Sequence, residues 1–481
     1  MSEPIKSAYP VQTRIISPIN EGAIYSAKTY IQFKINASEL PMWLVNDSYL
    51  RFDIEYTRAP YTINAGKNTG DIGINKTYIR NAANIFDLIK VKYGGDDIYT
   101  QTFNIEQNTL KMLSYGESYL NANFATYTTN KMIKDGKAYL EFDNGSATDN
   151  TSGEVEAVSK KIMNVMIPVN QLLPMFQDVN SVGFPIGKLK RQLEINLYIA
   201  EPYRYLVDYD DVTEDFTPYF RRSKSSDGSQ QDVCDVPISS RYPSNSIQLN
   251  NVRLYCQCYI PTNEEDAIIS NSVNGSGLKY RYNLWHIGVR EIDGIKSTNN
   301  PTFSVTTENT KAFMLYCHES NISPSLMHRP FIQTLYLRFG EMQLPFQPIS
   351  GDTWTTPFEY KFTVDDVLNN IDTYYSETNN DYNRSYLFKN KPETLDIDTD
   401  GSIKNSFFEE NTTPGSLFLM MGANFTNSND KLGSPSSRWN HQYQASFNSL
   451  YPQKQKLRLI LGVNTEYGMI VKNGDLAVIN L

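Results

Sequence analysis

The sequence predicts an all-β chain built as two antiparallel sandwiches in tandem, and three observations carry that expectation. Apolar and polar residues alternate with a period of two in one segment after another, aromatic residues are plentiful while charge is sparse, and long polar insertions separate the alternating runs. Alternation of this kind puts one face of an extended segment into a core and the other toward solvent. Tyr (33) and Phe (23) against only 20% charged residues suit pleated, half-buried surfaces better than solvated helices.

The elements follow in order. Ile31-Phe33-Ile35 and Leu50-Phe52-Ile54-Tyr56 alternate with polar neighbours, and the pattern returns at Ile89-Val91-Tyr93 and Leu193-Ile195-Leu197-Ile199. It recurs at Val252-Leu254-Cys256-Cys258-Ile260, Leu335-Leu337-Phe339 and Leu457-Leu459-Leu461. Helices are short and few. Three open on capping-box pairs, in which two side chains satisfy the first free N–H groups: Asn104 with Gln107, Thr262 with Glu265, and Thr363 with Asp366. Polar insertions at Ala59–Ala83, Asp143–Ser159, Ile292–Asn309 and Tyr374–Thr413 exceed ordinary loop length and read as surface-displayed towers.

Between Pro202 and Ser246 the alternation lapses into Asp208-Tyr209-Asp210-Asp211 and then Arg221-Arg222-Ser223-Lys224-Ser225-Ser226-Asp227-Gly228. The expected division is therefore an extended N-terminal arm over 1–20, a first sandwich over 21–205, a linker over 206–245 and a second sandwich over 246–481. The arm carries Pro4, Pro10 and Pro18 and little regular pattern. No repeat of residue identity relates the halves, so any duplication lies in architecture.

A net charge of −9 argues against broad contact with a phosphate backbone, which needs many Lys and Arg acting together. The most basic runs, Lys188-Leu189-Lys190-Arg191 and Arg221-Arg222-Ser223-Lys224, read as solvated charge rather than a nucleic-acid site. Four cysteines are too few for a disulfide scaffold and fit folding in a reducing compartment such as the cytosol. The first twenty residues lack the apolar core of a secretory signal, and no apolar run reaches the ~18 residues of a membrane span. Sequons such as Asn46–Ser48 and Asn321–Ser323 are what an Asn- and Ser-rich composition produces by chance.

Candidate sites are weak, and no catalytic or cofactor-binding residue is expected. Cys256 and Cys258 share a strand face and Cys317-His318 follows later, but this is not the usual Cys-x2-4-Cys knuckle and reads as small buried hydrophobes. Asp396, Asp398 and Asp400 with Gly401 match the first half of a calcium loop, whose alternating carboxylates converge on one ion. The twelfth position is Phe407 rather than a bidentate Glu, so a solvated acidic turn is the plainer reading. Gly183-Phe184-Pro185-Ile186-Gly187-Lys188 is one residue short of a phosphate loop, lacks the following Ser/Thr and holds a Pro where an N–H is needed. His286, His318, His328 and His441 form no metalloprotease motif, and no Gly-x-Ser-x-Gly elbow occurs.

The stretch Asn251-Val252-Arg253-Leu254-Tyr255-Cys256-Gln257-Cys258-Tyr259-Ile260-Pro261-Thr262-Asn263-Glu264-Glu265-Asp266 is an alternating strand that runs into an acidic helical turn. With Phe313-Met314-Leu315-Tyr316-Cys317-His318, Leu335-Tyr336-Leu337-Arg338-Phe339-Gly340, Thr356-Pro357-Phe358-Glu359-Tyr360-Lys361-Phe362 and the closing Asn464–Ile479, it resembles the double jelly-roll major capsid proteins of icosahedral double-stranded DNA viruses. These include large eukaryotic DNA viruses, virophages and polinton-like viruses. Ile85–Tyr93, Gly94-Gly95 and Ile105–Tyr115 resemble a strand, turn and short helix of the first roll. A Pro often found just after the strand ending in His318 is absent here.

The resemblance implies two eight-stranded jelly rolls and a structural, non-enzymatic protein of the virion. Three chains would form a pseudo-hexameric capsomer that tiles a shell with neighbouring capsomers, penton proteins and minor capsid proteins, with or without an internal membrane. The alternative is a viral spike or glycan-binding adhesin on β-sandwiches; a carbohydrate-active enzyme is a third, distinguished by convergent carboxylates in a cleft.

Overall fold

The alternating runs form antiparallel ladders throughout. The computed structural model describes residues 11–20, 22, 24–59, 61–62, 76–79, 81–114, 131–134, 137–143, 154–155, 157–176, 178–179, 183–210, 215–217, 222–224, 230–232, 242–293, 298–306, 310–319, 332–339, 342–350, 421–424, 440–449 and 456–480.

In the first sandwich, one sheet joins β1 (Gln12–Ile16) and β2 (Tyr25–Ser26) to β18 (Ile247–Tyr259), followed by β4 (Met42–Arg58) and β12 (Val158–Pro168). The other runs β3 (Tyr30–Ile35), β13 (Leu193–Ile199), β7 (Phe86–Tyr93), β8 (Asp96–Gln101). Their inner faces share one core, where Ile31, Phe33, Ile35, Phe52 and Ile54 are fully buried and the Phe52 and Phe86 rings meet edge to face at 6.1 Å. Each such side chain contributes about 1.5–3 kcal/mol by leaving water.

In the second sandwich, one sheet runs β19 (Leu278–Asp293), β27 (Lys456–Lys472), β22 (Thr310–Glu319), β25 (Met421–Asn424), with β28 (Asp475–Asn480) also on β27. The other places β20 (Thr298–Asn299) and β21 (Thr302–Thr306) on β26 (Asn440–Ser449), then β23 (Ile332–Phe339) and β24 (Met342–Ser350). Gly288 of β19 lies so close to Phe303 and Val305 of β21 that an added Cβ would sit 3.1 Å from the ring.

The two halves have the same connectivity. Let the strands of each sandwich be counted in chain order, β1 with β2 and β20 with β21 each being one interrupted strand. Both halves then read 1-8-3-6 in one sheet and 2-7-4-5 in the other. This is the eight-stranded, double Greek-key order of a jelly roll, present twice. Apart from β28, which follows the last strand of the second half and pairs with β27, the remaining strands are inserted between jelly-roll strands of the first half. β6 (Lys76–Ile79), β9 (Lys131–Lys134), β10 (Lys137–Asp143), β14 (Leu206–Asp210) and β15 (Asp215–Thr217) form an added sheet, and β5 (Tyr61–Thr62) with β11 (Glu154–Val155) and β16 (Arg222–Lys224) with β17 (Gln230–Asp232) form two-stranded ribbons.

The division of the chain differs from the expectation. Ile247–Tyr259 was expected to open the second roll over 246–481, yet β18 lies between β1 or β2 and β4 and completes the first. The break in alternation over 206–245 is not a linker between rolls: it holds β14 to β17 and is an insertion ahead of the last strand of the first roll. Alternation reveals a strand's buried face but not its sheet, because partners can lie as far apart as Gln12 and Cys258. The connection between rolls is instead the segment 260–277, between β18 and β19. Within the expected arm, β1 pairs with β18 over five residues.

Helices are short, as expected: α1 (Asn104–Ser114), α2 (Val169–Leu172) and α3 (Asn263–Asn274). The box of α3 forms as read: the Thr262 hydroxyl accepts from the Glu265 N–H at 3.2 Å, and the Glu265 carboxylate accepts from the Thr262 N–H at 2.7 Å. The box of α1 does not. Asn104 turns inward to donate to the Ala83 and Phe86 carbonyls, and Gln107 donates to the Thr102 carbonyl. Buried carbonyls of the preceding turn compete for these side chains and win. Thr363 and Asp366 lie outside the described residues, and β8 intervenes between Gly94-Gly95 and α1.

Candidate assembly surface

A double sandwich can act as one building block only if its halves are held rigidly. The β27–β28 turn is a two-residue hairpin with Asn473 at φ 51° and Gly474 at φ 79°, the left-handed pair that matches strand twist. It presents the Gly474 carbonyl to the first roll, where it accepts from the Tyr93 hydroxyl at 2.7 Å and the Lys190 N–H at 2.9 Å. Asn473 N–H donates to the Val273 carbonyl of α3 at 2.9 Å. Aromatic rings bridge the same seam: Phe184 lies 5.5 Å from Tyr280, and Tyr99 meets Tyr282 at 5.8 Å. Tyr280, Tyr282, Leu284, Met469 and Val471 join the first roll's core, so apolar packing is continuous across the seam.

α1 is wedged into this junction. Residues Ile105 to Leu110 are all at least 98% buried. Glu106 on α1 and Asp87 on β7 both bind Arg204, the Glu106 contact being 2.6 Å. Burial pushes the Glu106 carboxyl above its usual range, with the Arg204 guanidinium pulling it back down. The group is closed to solvent, so its geometry fits a buried strut better than acid–base chemistry.

The sequence candidates disperse. Cys256 and Cys258 are both buried in β18, and burial raises both thiols above the ordinary value. Cys317 and His318 lie on β22 of a different sheet, and among the described residues no three metal-ligating side chains converge. Asp396, Asp398 and Asp400 lie outside the described residues, as do His328 and Arg221. Of the histidines, His286 has a defined environment: it shares a 2.7 Å hydrogen bond with the Tyr467 hydroxyl, and burial lowers its pKa to about 4. The glycine run at 183–188 docks against the chain: Trp43 and Phe184 exchange both backbone hydrogen bonds at 2.8 Å, and a Cβ on Gly187 would meet the Pro41 carbonyl at 2.9 Å.

The basic run at 188–191 is largely solvated, as expected, with the Lys190 and Arg191 side chains 61% and 57% exposed, and each of its cations also has an acidic neighbour. Lys188 binds Asp266 of α3 at 2.6 Å, Lys190 reaches Asp475 of β28 at 3.4 Å, and Arg191 faces Asp96 at 3.7 Å. Two of these three pairs cross the seam. Sequence reading missed this role because the acids lie 78 and 285 positions away.

What remains open is apolar. Val11, Ile15, Ile19 and Ile24 along the N-terminal segment are between 49% and 57% exposed, and Ile260 and Ile268 at α3 are 52% and 59% exposed. Among the described residues no helix is long and apolar enough to cross a membrane.

No family model matches the chain, and no curated protein is similar to it in sequence. In fold it is similar to solved structures. The mavirus major capsid protein superposes with a TM-score of 0.54 at 11% identity, over 100% of this chain and 92% of that one. A chain in the 3.5 Å cryo-EM structure of the Sputnik virophage gives 0.52 at 9% identity, over 100% and 90%. The strand order, repeated in both halves and matched from end to end, identifies the fold as the double jelly roll of viral major capsid proteins.

Proposed function

We propose that this chain is the major capsid protein of an icosahedral double-stranded DNA virus and has no enzymatic role. The observation that carries the reading is the repeated 1-8-3-6 and 2-7-4-5 order within one chain, fused by a continuous core. Two rigid rolls per chain give six per trimer, an outline that tiles a shell as a pseudo-hexamer. The partners are then further copies of itself, neighbouring capsomers, and penton and minor capsid proteins. A net charge of −9 fits a wall that encloses a genome without gripping it. The chain would fold in the host cytoplasm or nucleus and end in the virion. Its N-terminal segment, with apolar side chains half exposed from Val11 to Ile24, is suited to ordering on a neighbouring subunit.

Light scattering of the purified chain tests the reading. A trimer supports it, whereas a monomer or an extended fibre would move the assignment to a spike or adhesin. Deleting residues 2–10, ahead of β1, should leave trimers intact and reduce particle yield; an unchanged yield would refute the role given to the arm.

A further inference from the structure

The outer face of the first sheet carries an electrostatic anomaly. Arg253 of β18 stands directly opposite Arg51 of β4 in the antiparallel register. Like charges in that position repel and weaken a ladder unless something neutralises them. Among the described residues neither guanidinium has a carboxylate partner: Arg51 donates to the Tyr255 hydroxyl at 3.0 Å and to Asn164, and Arg253 to its neighbour's carbonyl, Val252, at 2.8 Å. The nearby Asp53 carboxylate is already occupied, by the Asn164 N–H at 2.9 Å and the Asn251 amide at 2.7 Å.

Beside the arginines runs an apolar row across four strands. Ile15 pairs with Tyr255, Tyr255 with Tyr49, and Tyr49 with Pro168. The two tyrosine rings stack at 4.9 Å and 10° and are only partly buried, and Ile15 is 57% exposed. Tyrosine and arginine on a rigid, partly wet face are the residue types that dominate binding energy at interfaces.

A partner for this face needs carboxylate and aliphatic surface, and this chain has an excess of the first, with 53 acidic against 44 basic residues. It displays both together at α3. Glu264 is exposed and one helical turn from Ile268, with Ile260 just before the helix. We infer that the Arg51–Arg253 face of one copy receives the Glu264–Ile268 ridge of the next. Contact between two different patches is heterologous, and three copies close into a ring when each contact turns the next copy by a third of a revolution. This rests on the self-assembly reading above and names the surfaces that carry it.

Charge exchange tests the inference by sedimentation of the full chain. Arg253→Glu and Glu264→Arg should each weaken self-association by about tenfold or more, the scale of one close charge pair across an interface. The double variant should recover most of the loss, and Ile15→Asp should weaken association without rescue. Far-UV circular dichroism and a cooperative melt confirm that the variants fold. A wild-type trimer unaffected by the single variants, or a double variant that recovers nothing, overturns the inference and leaves the capsid reading standing. A wild-type monomer overturns both. Arg253-dependent binding of heparin or duplex DNA, with association unchanged, would make the face a polyanion site and also overturn it.

Discussion

Substitution of Gly462 tests whether the two rolls are one packed body. A Cβ at this position on β27 would lie 2.5 Å from Leu110 Cδ1 of α1 and 2.9 Å from Cε3 of the Trp285 ring. The leucine can shift, but the indole is buried at 5% exposure and has little room. Gly462→Ala should therefore destabilise by about 1–3 kcal/mol, the usual cost of forcing one carbon into a filled core. Leu110→Ala, at a site 1% exposed, should cost about 2–5 kcal/mol through lost burial and a cavity. The two changes compensate in volume, so the double variant should be more stable than their sum by about 1 kcal/mol or more. Urea unfolding of the four proteins at one concentration gives this coupling from midpoints at constant slope. Additivity within about 0.5 kcal/mol would refute the contact and the wedge role of α1.

Four further outcomes are expected. Arg204→Met should cost about 3–5 kcal/mol, because it leaves the Glu106 carboxylate buried without its cation, and this is read from chemical unfolding. Thr262→Ala should lose about 1 kcal/mol as the α3 cap disappears. His286, neutral in the fold with a pKa of about 4, binds a proton in the unfolded chain near pH 6.5. Stability is therefore unaffected above that pH and falls by up to about 3 kcal/mol as pH drops from 6.5 to 4; His286→Gln should flatten that slope in pH-dependent melts. Cys256 should resist a thiol reagent at pH 8 until denaturant is added, as peptide mass mapping would detect, because its thiol is buried and its pKa raised.

Much of the fold is legible in the sequence because alternation is a local property. Ile31-Phe33-Ile35, Leu193–Ile199 and Val252–Cys258 each lie in a strand with the expected residues buried. Thr262 and Glu265 cap α3 because both partners lie within one turn. Sheet membership is not local. β18 read as the start of a second roll because its neighbours in the first, β1 and β4, are some two hundred residues upstream. The polar stretch ahead of it looked like a linker because an insertion between strands and a linker between domains have the same composition. The candidate surface was hidden for the same reason. Arg51 and Arg253 are unremarkable on their own strands and become an unpaired couple only through register. Lys188 and Lys190 read as surface charge in the sequence, and only α3 and the β27–β28 turn bring Asp266 and Asp475 to them.

The capsid account is tested most directly by electron microscopy of the purified chain at the mass of three 55.0-kDa copies, about 165 kDa. Class averages should show a six-lobed, pseudo-hexagonal outline with two lobes per chain. Three-lobed, elongated or single-chain particles would contradict it.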